Sequence, residues 1–245
     1  MSTASDARQQ LDRNLALAAT PAVLKTLNAE QKRLLAIATE DPDAWEAEAH
    51  DGISTGEWIA VIVALWLSQG IRDLWVATQA DIGTDLALTP GAQKTMTQYA
   101  TTHGRIIADT QRETISKAVD PLRGDRTFRS SMRGTVRDLY SASADRAGLI
   151  ATTETLQAGE TARYESARES VLRARTLQVV KVWFTVGDSR VRRTHQAVNG
   201  QTRPVKGKGD RFRVGGARLR YPRDPGGPPQ EVINCRCFLE FRRTR

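Results

Sequence analysis

The feature that most constrains this chain is a change of pattern at Leu177. Before it, apolar residues recur at helical spacing; after it, the sequence becomes β-branched, broken by glycine and proline, and strongly basic. Leu11, Leu15 and Ala18, followed by Leu24, Leu27 and Leu34, predict a helical pair over residues 4–39, with Pro21 opening the second member. Residues 40–57 hold seven acids and no Lys or Arg, with Pro42, Gly52 and Gly56 as breakers. They read as a solvated connection with one short helical turn, an acidic docking face being the alternative. Helix is expected over 59–80, and again over 93–119 with Pro90 at its start and Pro121 at its end. From Asp125 the pattern resumes, with Phe128, Met132, Val136, Leu139 and Tyr140 on one face, and continues to Arg175. Glu165 with Arg168 and Glu169 with Arg173 have helix-surface spacing.

Beyond Leu177, residues 178–185 are β-branched and aromatic and predict a strand. A short helix is expected next, capped by Asp188 or Ser189 and stopped at Asn199-Gly200. Short extended pieces follow at 201–205, 212–214 and 219–221; the proline-rich run 222–229 is irregular, and 237–241 forms a closing strand. The expected class is α+β: a long helical N-terminal region (1–140), a helix leading into the module (141–176), and a small basic C-terminal α+β module with short strands (177–245).

The charge divides at nearly the same place. Residues 181–245 hold 16 Lys+Arg against 5 Asp+Glu, a net +11, while the preceding 180 residues carry a net −3. The basic character therefore belongs to the module, whose natural partner is a polyanion or an acidic protein face. A hydrophobic content of 40% is enough to bury a core. Two cysteines, one residue apart, are no disulfide framework and indicate a reducing compartment. The amino terminus lacks the basic start and apolar run of a signal peptide, so secretion by that route is not expected. The most apolar run, residues 58–67, falls short of the roughly 20 residues a membrane helix needs, so no membrane span is expected.

Both cysteines, Cys235 and Cys237, lie in the module with His195 upstream, and thiolates with imidazole are the set zinc favours. On the expected short helix Val191, His195 and Val198 fall on one face, so His195 is at least partly buried. It must then hydrogen-bond as a core histidine or ligate a metal. Asp188 either caps that helix or serves as fourth ligand, and Glu231 is the nearest candidate base for a catalytic version of the site. Arg190 and Arg193 share a side of the same helix, with Arg192 beside them. With Arg203, Lys206, Lys208, Arg211, Arg213, Arg218, Arg220 and Arg223 they form a basic series too dense for solubility alone, which points to phosphate contact. Nothing in it reads sequence, so contact with double-stranded DNA would be non-specific. A phosphate loop, a nucleophile elbow and a His-Glu-x-x-His helix are all missing, so ordinary enzyme classes find no support.

These residues fall in an order that resembles the phage Mu F-like minor head proteins, the phage head morphogenesis family. The matching set is Ala151-Thr-Thr-Glu154-Thr155 on a helix, a strand with Trp183, then Asp188, Arg190, Arg192 and His195 in one run, Gly200, Tyr221-Pro222, and Asn234-Cys235-Arg236-Cys237, spanning about 145–240. Each piece is weak alone; the ordered set is specific. The family's usual Ala-Arg-Thr-Glu is Ala-Thr-Thr-Glu here. The resemblance implies a virion protein of low copy number inside the capsid near the portal, present in the host cytoplasm during assembly. It would act in head assembly or in handling packaged DNA, with the helical region docked on the portal protein or the capsid inner surface and no catalysis. The alternatives are a metal-dependent hydrolase or nuclease using His195, Cys235 and Cys237, and a portal-binding adaptor whose basic tail meets acidic protein instead of DNA.

Overall fold

The structure is a computed structural model that describes residues 3–40, 45–122, 127–174 and 176–244. Among the described residues seven α-helices come first: α1 (Thr3–Glu40), α2 (Trp45–Gly52), α3 (Thr55–Trp66), α4 (Gln69–Asp81), α5 (Pro90–Val119), α6 (Phe128–Tyr140) and α7 (Ser143–Arg173). Then follow β1 (Gln178–Phe184), α8 (Arg193–Gln196), β2 (Thr202–Pro204), β3 (Phe212–Val214), β4 (Ala217–Leu219), α9 (Pro229–Val232) and β5 (Phe238–Thr244). The class is the expected α+β.

Several boundaries differ from expectation. The predicted pair at the start is one helix with Pro21 inside it. Proline's fixed φ is helical, and Val23 and Leu27 just beyond are fully buried, so packing outweighs the lost hydrogen bond. The acidic connection contains a true helix, α2, because Trp45 and Ile53 are core residues; Pro42 lies outside the described residues, as does Asp125. The expected 59–80 helix is broken into α3 and α4 at Ser68, whose extended backbone restarts the chain. The stretch Thr55–Asp81 is long and apolar enough to cross a membrane by composition alone. It carries that break and Arg72-Asp73, and its Trp58, Ile62, Trp66 and Trp75 are fully buried.

The chain forms two compact units: Met1–Leu15, Leu65–Tyr99 and Thr153–Arg245 make one, Ala16–Ala64 and Ala100–Thr152 the other. The divisions fall inside α1, α3, α5 and α7, so they follow packing and not the change of sequence character at Leu177. The all-helical unit is built around Val23, Leu27, Leu34, Trp58, Ile115, Val119, Met132 and Val136. Each large side chain buried there contributes about 1.5–3 kcal/mol. Within this unit α5 approaches α3 at Gly104, where an added Cβ would lie 2.6 Å from the Ile59 Cα. Inside the core, Glu30 accepts hydrogen bonds from Trp58 Nε1, Gln111 Nε2 (3.2 Å) and the Tyr140 hydroxyl (3.1 Å).

In the other unit β1 is the centre of an antiparallel sheet ordered β2-β1-β5, and β3 pairs with β4 in a separate hairpin. Alternation along β1 sends Val179, Lys181 and Trp183 to one face, where Val179 and Trp183 join Tyr164, Ala167 and Val171 of α7 and Phe212, Leu219 and Leu239 in one core. Tyr164 donates to the Val205 carbonyl (3.2 Å), and Gln79 of α4 donates to the Ser166 carbonyl of α7 (3.0 Å). The hairpin turn is Gly215-Gly216, both with positive φ (57° and 107°), the conformation a two-residue primed turn requires. Strand β4 lies two residues earlier than expected, because the two-glycine turn sets the register Val214 to Ala217. The expected helix from Asp188 to Asn199 shrinks to α8: Asp188 to Val191 is a turn, closed by Val191 N–H to the Asp188 carbonyl (3.2 Å). Arg190 therefore does not share a helix side with Arg193.

Candidate metal centre

His195 on α8 and the two cysteines ahead of β5 meet in the core of the module. Asn234, in the left-handed region at φ 55°, turns the chain after α9 so that Cys235 and Cys237 both point inward. One ligand atom from each of His195, Cys235 and Cys237 lies within 4.8 Å of the other two, and all three residues are buried. The His195 Nδ1 faces both sulfurs, 3.3 Å from Cys237 Sγ and 3.5 Å from Cys235 Sγ. Its Nε2 lies 2.9 Å from Glu231 Oε2, which also accepts a hydrogen bond from the Thr194 hydroxyl (2.9 Å). Trp183 closes the site, meeting the imidazole edge to face at 5.6 Å.

The electrostatics favour a charged cluster. A hydrogen bond from Cys237, opposed by burial and assisted by His195 and the Arg223 charge, holds the Cys235 thiol well below its ordinary range. That same bond, together with burial, raises Cys237, so the pair shares one proton. Burial works against charge on His195, but the bonds and charges of Cys235 and Glu231 outweigh it and its pKa rises. Arg223 is itself buried, donating to the Cys235 carbonyl (2.7 Å) and lying 3.5 Å from Glu160.

This donor set supplies three of the four ligands that a structural zinc takes: two soft sulfurs and one imidazole nitrogen converge, and the far ring nitrogen is oriented by a carboxylate. Among the described residues no fourth His, Cys, Asp or Glu joins the three. Asp188 takes neither expected role: α8 begins after Arg192 with no side-chain cap, and Asp188, in the turn ahead of it, accepts the Arg190 N–H (3.0 Å) and pairs with both ends of the Arg236 guanidinium (2.5 and 2.6 Å). Glu231, read as a candidate base, is the histidine's partner.

Of the expected phosphate-contacting residues, Arg190, Arg193, Lys206, Lys208, Arg211, Arg213 and Arg218 are exposed; Arg192 and Arg203 are half-buried. Arg223 and Arg220 belong to the interior instead. Arg220 is paired with Asp224 (2.5 Å) and packed against Tyr99, Tyr164 and Tyr221, because the irregular proline run folds Asp224 back onto it. Glu154 accepts from Trp66 Nε1 (3.1 Å). Glu160, whose carboxylate accepts the Leu239 N–H (3.1 Å), was not legible as a site residue, nor were Thr194, Asp224 and the buried Lys181. Only Lys181 carried a signal, sharing strand parity with Val179 and Trp183.

A small antiparallel module thus encloses a buried histidine–dicysteine centre and carries basic residues on its outside. The family model for Phage Mu protein F like protein matches residues 110–240, over half of the chain, and the chain belongs to that family. The match begins within α5, ahead of the motifs that start near residue 145, so it takes in the end of α5 and α6 but not α1 to α4. No curated protein matches the chain, and no solved structure does. Its role is that of a phage head morphogenesis protein.

Proposed function

We propose that the protein is a minor component of the capsid interior near the portal, acting in head assembly and in handling packaged DNA through non-specific contact by its basic module. The carrying observation is the exposed basic surface of the module: Arg190, Arg193, Lys206, Lys208, Arg211, Arg213 and Arg218 are exposed, and between Asn199 and Arg223 the sequence holds one acid, Asp210. Arg193, Lys208, Arg213 and Arg218 have no acidic partner within salt-bridge distance among the described residues. Such a surface binds phosphate with an affinity that falls steeply with salt. Two measurements test this reading. Heads assembled with a tagged chain should contain it before and after packaging, and its absence from heads would end the capsid reading. The purified chain should bind duplex DNA at low salt, and binding unchanged between about 50 and 200 mM salt would end the DNA reading.

A second reading concerns the centre, and the convergence of His195 Nδ1 with both sulfurs favours it: Cys235, Cys237 and His195 would hold a zinc ion as a structural staple. When bound, the ion would supply cross-linking of α8 to the start of β5. Glu231 would fix the imidazole tautomer by accepting from Nε2, and Arg223 would offset the thiolate charge. The three-ligand count matches a hydrolytic zinc as well, and it is the burial of all three, which keeps water away, that favours a structural ion. A portal adaptor without DNA contact is separated from the main reading by the same salt series.

A further inference from the structure

We infer that the outward face of the β3–β4 hairpin is the element that grips duplex DNA, clamping phosphates with the opposed pair Arg213 and Arg218; this rests on the reading of the module as DNA-contacting. The hairpin has two unlike faces. Phe212, Val214 and Leu219 point into the core, fixing it as a rigid ribbon, while Arg213 and Arg218 stand directly opposite each other on the exposed face. Like charges so placed repel and destabilise a sheet, and no acid among the described residues neutralises them. An anion bridging the pair removes that repulsion. Arg211, exposed on the same strand parity, donates to the Arg218 carbonyl (3.3 Å) and extends the row.

Three other exposed basic residues are already engaged within the protein, Arg190 near Asp188 (3.9 Å), Lys206 on the Val171 carbonyl (3.3 Å) and Arg242 on Glu240 (3.1 Å), while Arg193 and Lys208 are exposed but not set opposite another arginine on a paired strand. The hairpin also has a fixed orientation. A Cβ at Gly215 would lie 2.3 Å from Glu231 Oε1 and 3.0 Å from Thr194 Cγ2, so the turn rests on the groups that hold His195. The partner is the duplex backbone and not base edges, since guanidinium pairs on a two-stranded ribbon match phosphates whatever the sequence.

The test measures binding of the full chain to a short labelled duplex across a salt series, with thermal melting of every variant. Arg213→Gln with Arg218→Gln should lower the slope of log affinity against log salt by about 2, at about 0.9 per phosphate contact. The melting temperature should hold or rise, because the repulsion is gone. Arg190→Gln with Arg242→Gln, an equal loss of charge, should change the slope by less than half as much. Arg213→Lys with Arg218→Lys should keep the slope. Wild type that binds while the hairpin and control pairs lose equally overturns the hairpin and leaves the DNA reading standing, and loss of the slope in the lysine pair also overturns it. Wild type that does not bind at low salt overturns the DNA reading and the hairpin with it.

Discussion

Glu30 in the helical unit and Glu231 in the module are both buried carboxylates, and they are held in opposite ways. In the helical unit Glu30 is fully buried and receives three neutral donors, one each from α3, α5 and α6. In the module Glu231 stands behind an imidazole whose other nitrogen faces two sulfurs. The first arrangement is closed, since side chains of the unit itself satisfy it. The second sets two buried sulfurs against one imidazole nitrogen, soft donors that the helical unit's centre lacks. The surfaces differ in the same sense: Arg33 forms a two-pronged pair with Glu57 in the helical unit (3.0 and 2.8 Å), whereas Arg213 faces Arg218 in the module.

The contrast is tested most severely at the centre. If the three ligands hold zinc, elemental analysis of purified protein gives one metal per chain, and Cys235→Ser abolishes it. His195→Ala then leaves the buried Glu231 and thiolate without their partner and costs about 3–5 kcal/mol in urea unfolding. Metal-free protein whose stability ignores chelator would make the centre a hydrogen-bonded core like that around Glu30. At Glu30 itself, Glu30→Ala orphans Trp58 Nε1, Gln111 Nε2 and the Tyr140 hydroxyl, costing about 2–4 kcal/mol with no dependence on metal. Burial raises the Glu30 pKa above its ordinary value despite those donors. Its contribution is therefore full below the unfolded-state pKa and declines as pH rises through the folded one, so the loss on mutation is larger at pH 4 than at pH 7.

Much of this was legible in the sequence, for physical reasons that differ by region. The strand at β1, the helical face of Met132, Val136 and Tyr140, and the joining of His195 to Cys235 and Cys237 follow from period and ligand chemistry. Pro21 misled because a local penalty of one hydrogen bond was outweighed by burial of Val23 and Leu27 beyond it. Arg220 and Arg223 misled because charge runs normally face water, and nothing local announces that Asp224 and Glu160 wait inside for them. The role of Glu231 depends on α9 folding back beside α8, a long-range event without periodicity.

Packing in the helical unit offers a milder test than its polar centre. Gly104→Ala places a Cβ 2.6 Å from the Ile59 Cα, a backbone atom that cannot swing away. The expected cost is about 2–3 kcal/mol in chemical unfolding, and a neutral result would mean that α3 and α5 can separate without loss.

The smallest effect is the one where the module differs most sharply from the helical unit, because its sign is reversed. Lys181 is fully buried on β1, its Nζ 4.6 Å from the centre of the Tyr164 ring and 5.7 Å from that of Phe212, with no hydrogen-bond partner among the described residues. Burial pushes its pKa down to about 7; Asp210 and Asp224 oppose that shift and Arg220 and Arg211 add to it. Below pH 7 the folded state carries the full cost of the buried charge. Between about 7 and the unfolded value near 10.4 the cost is relieved, because only the unfolded chain stays protonated. Lys181→Met keeps the volume and removes the charge, so it should stabilise by about 1–2 kcal/mol at pH 6, with the gain shrinking as pH rises past 7. A gain independent of pH would assign the effect to packing alone, and a loss would show that the ammonium over the two rings holds the module together instead of burdening it.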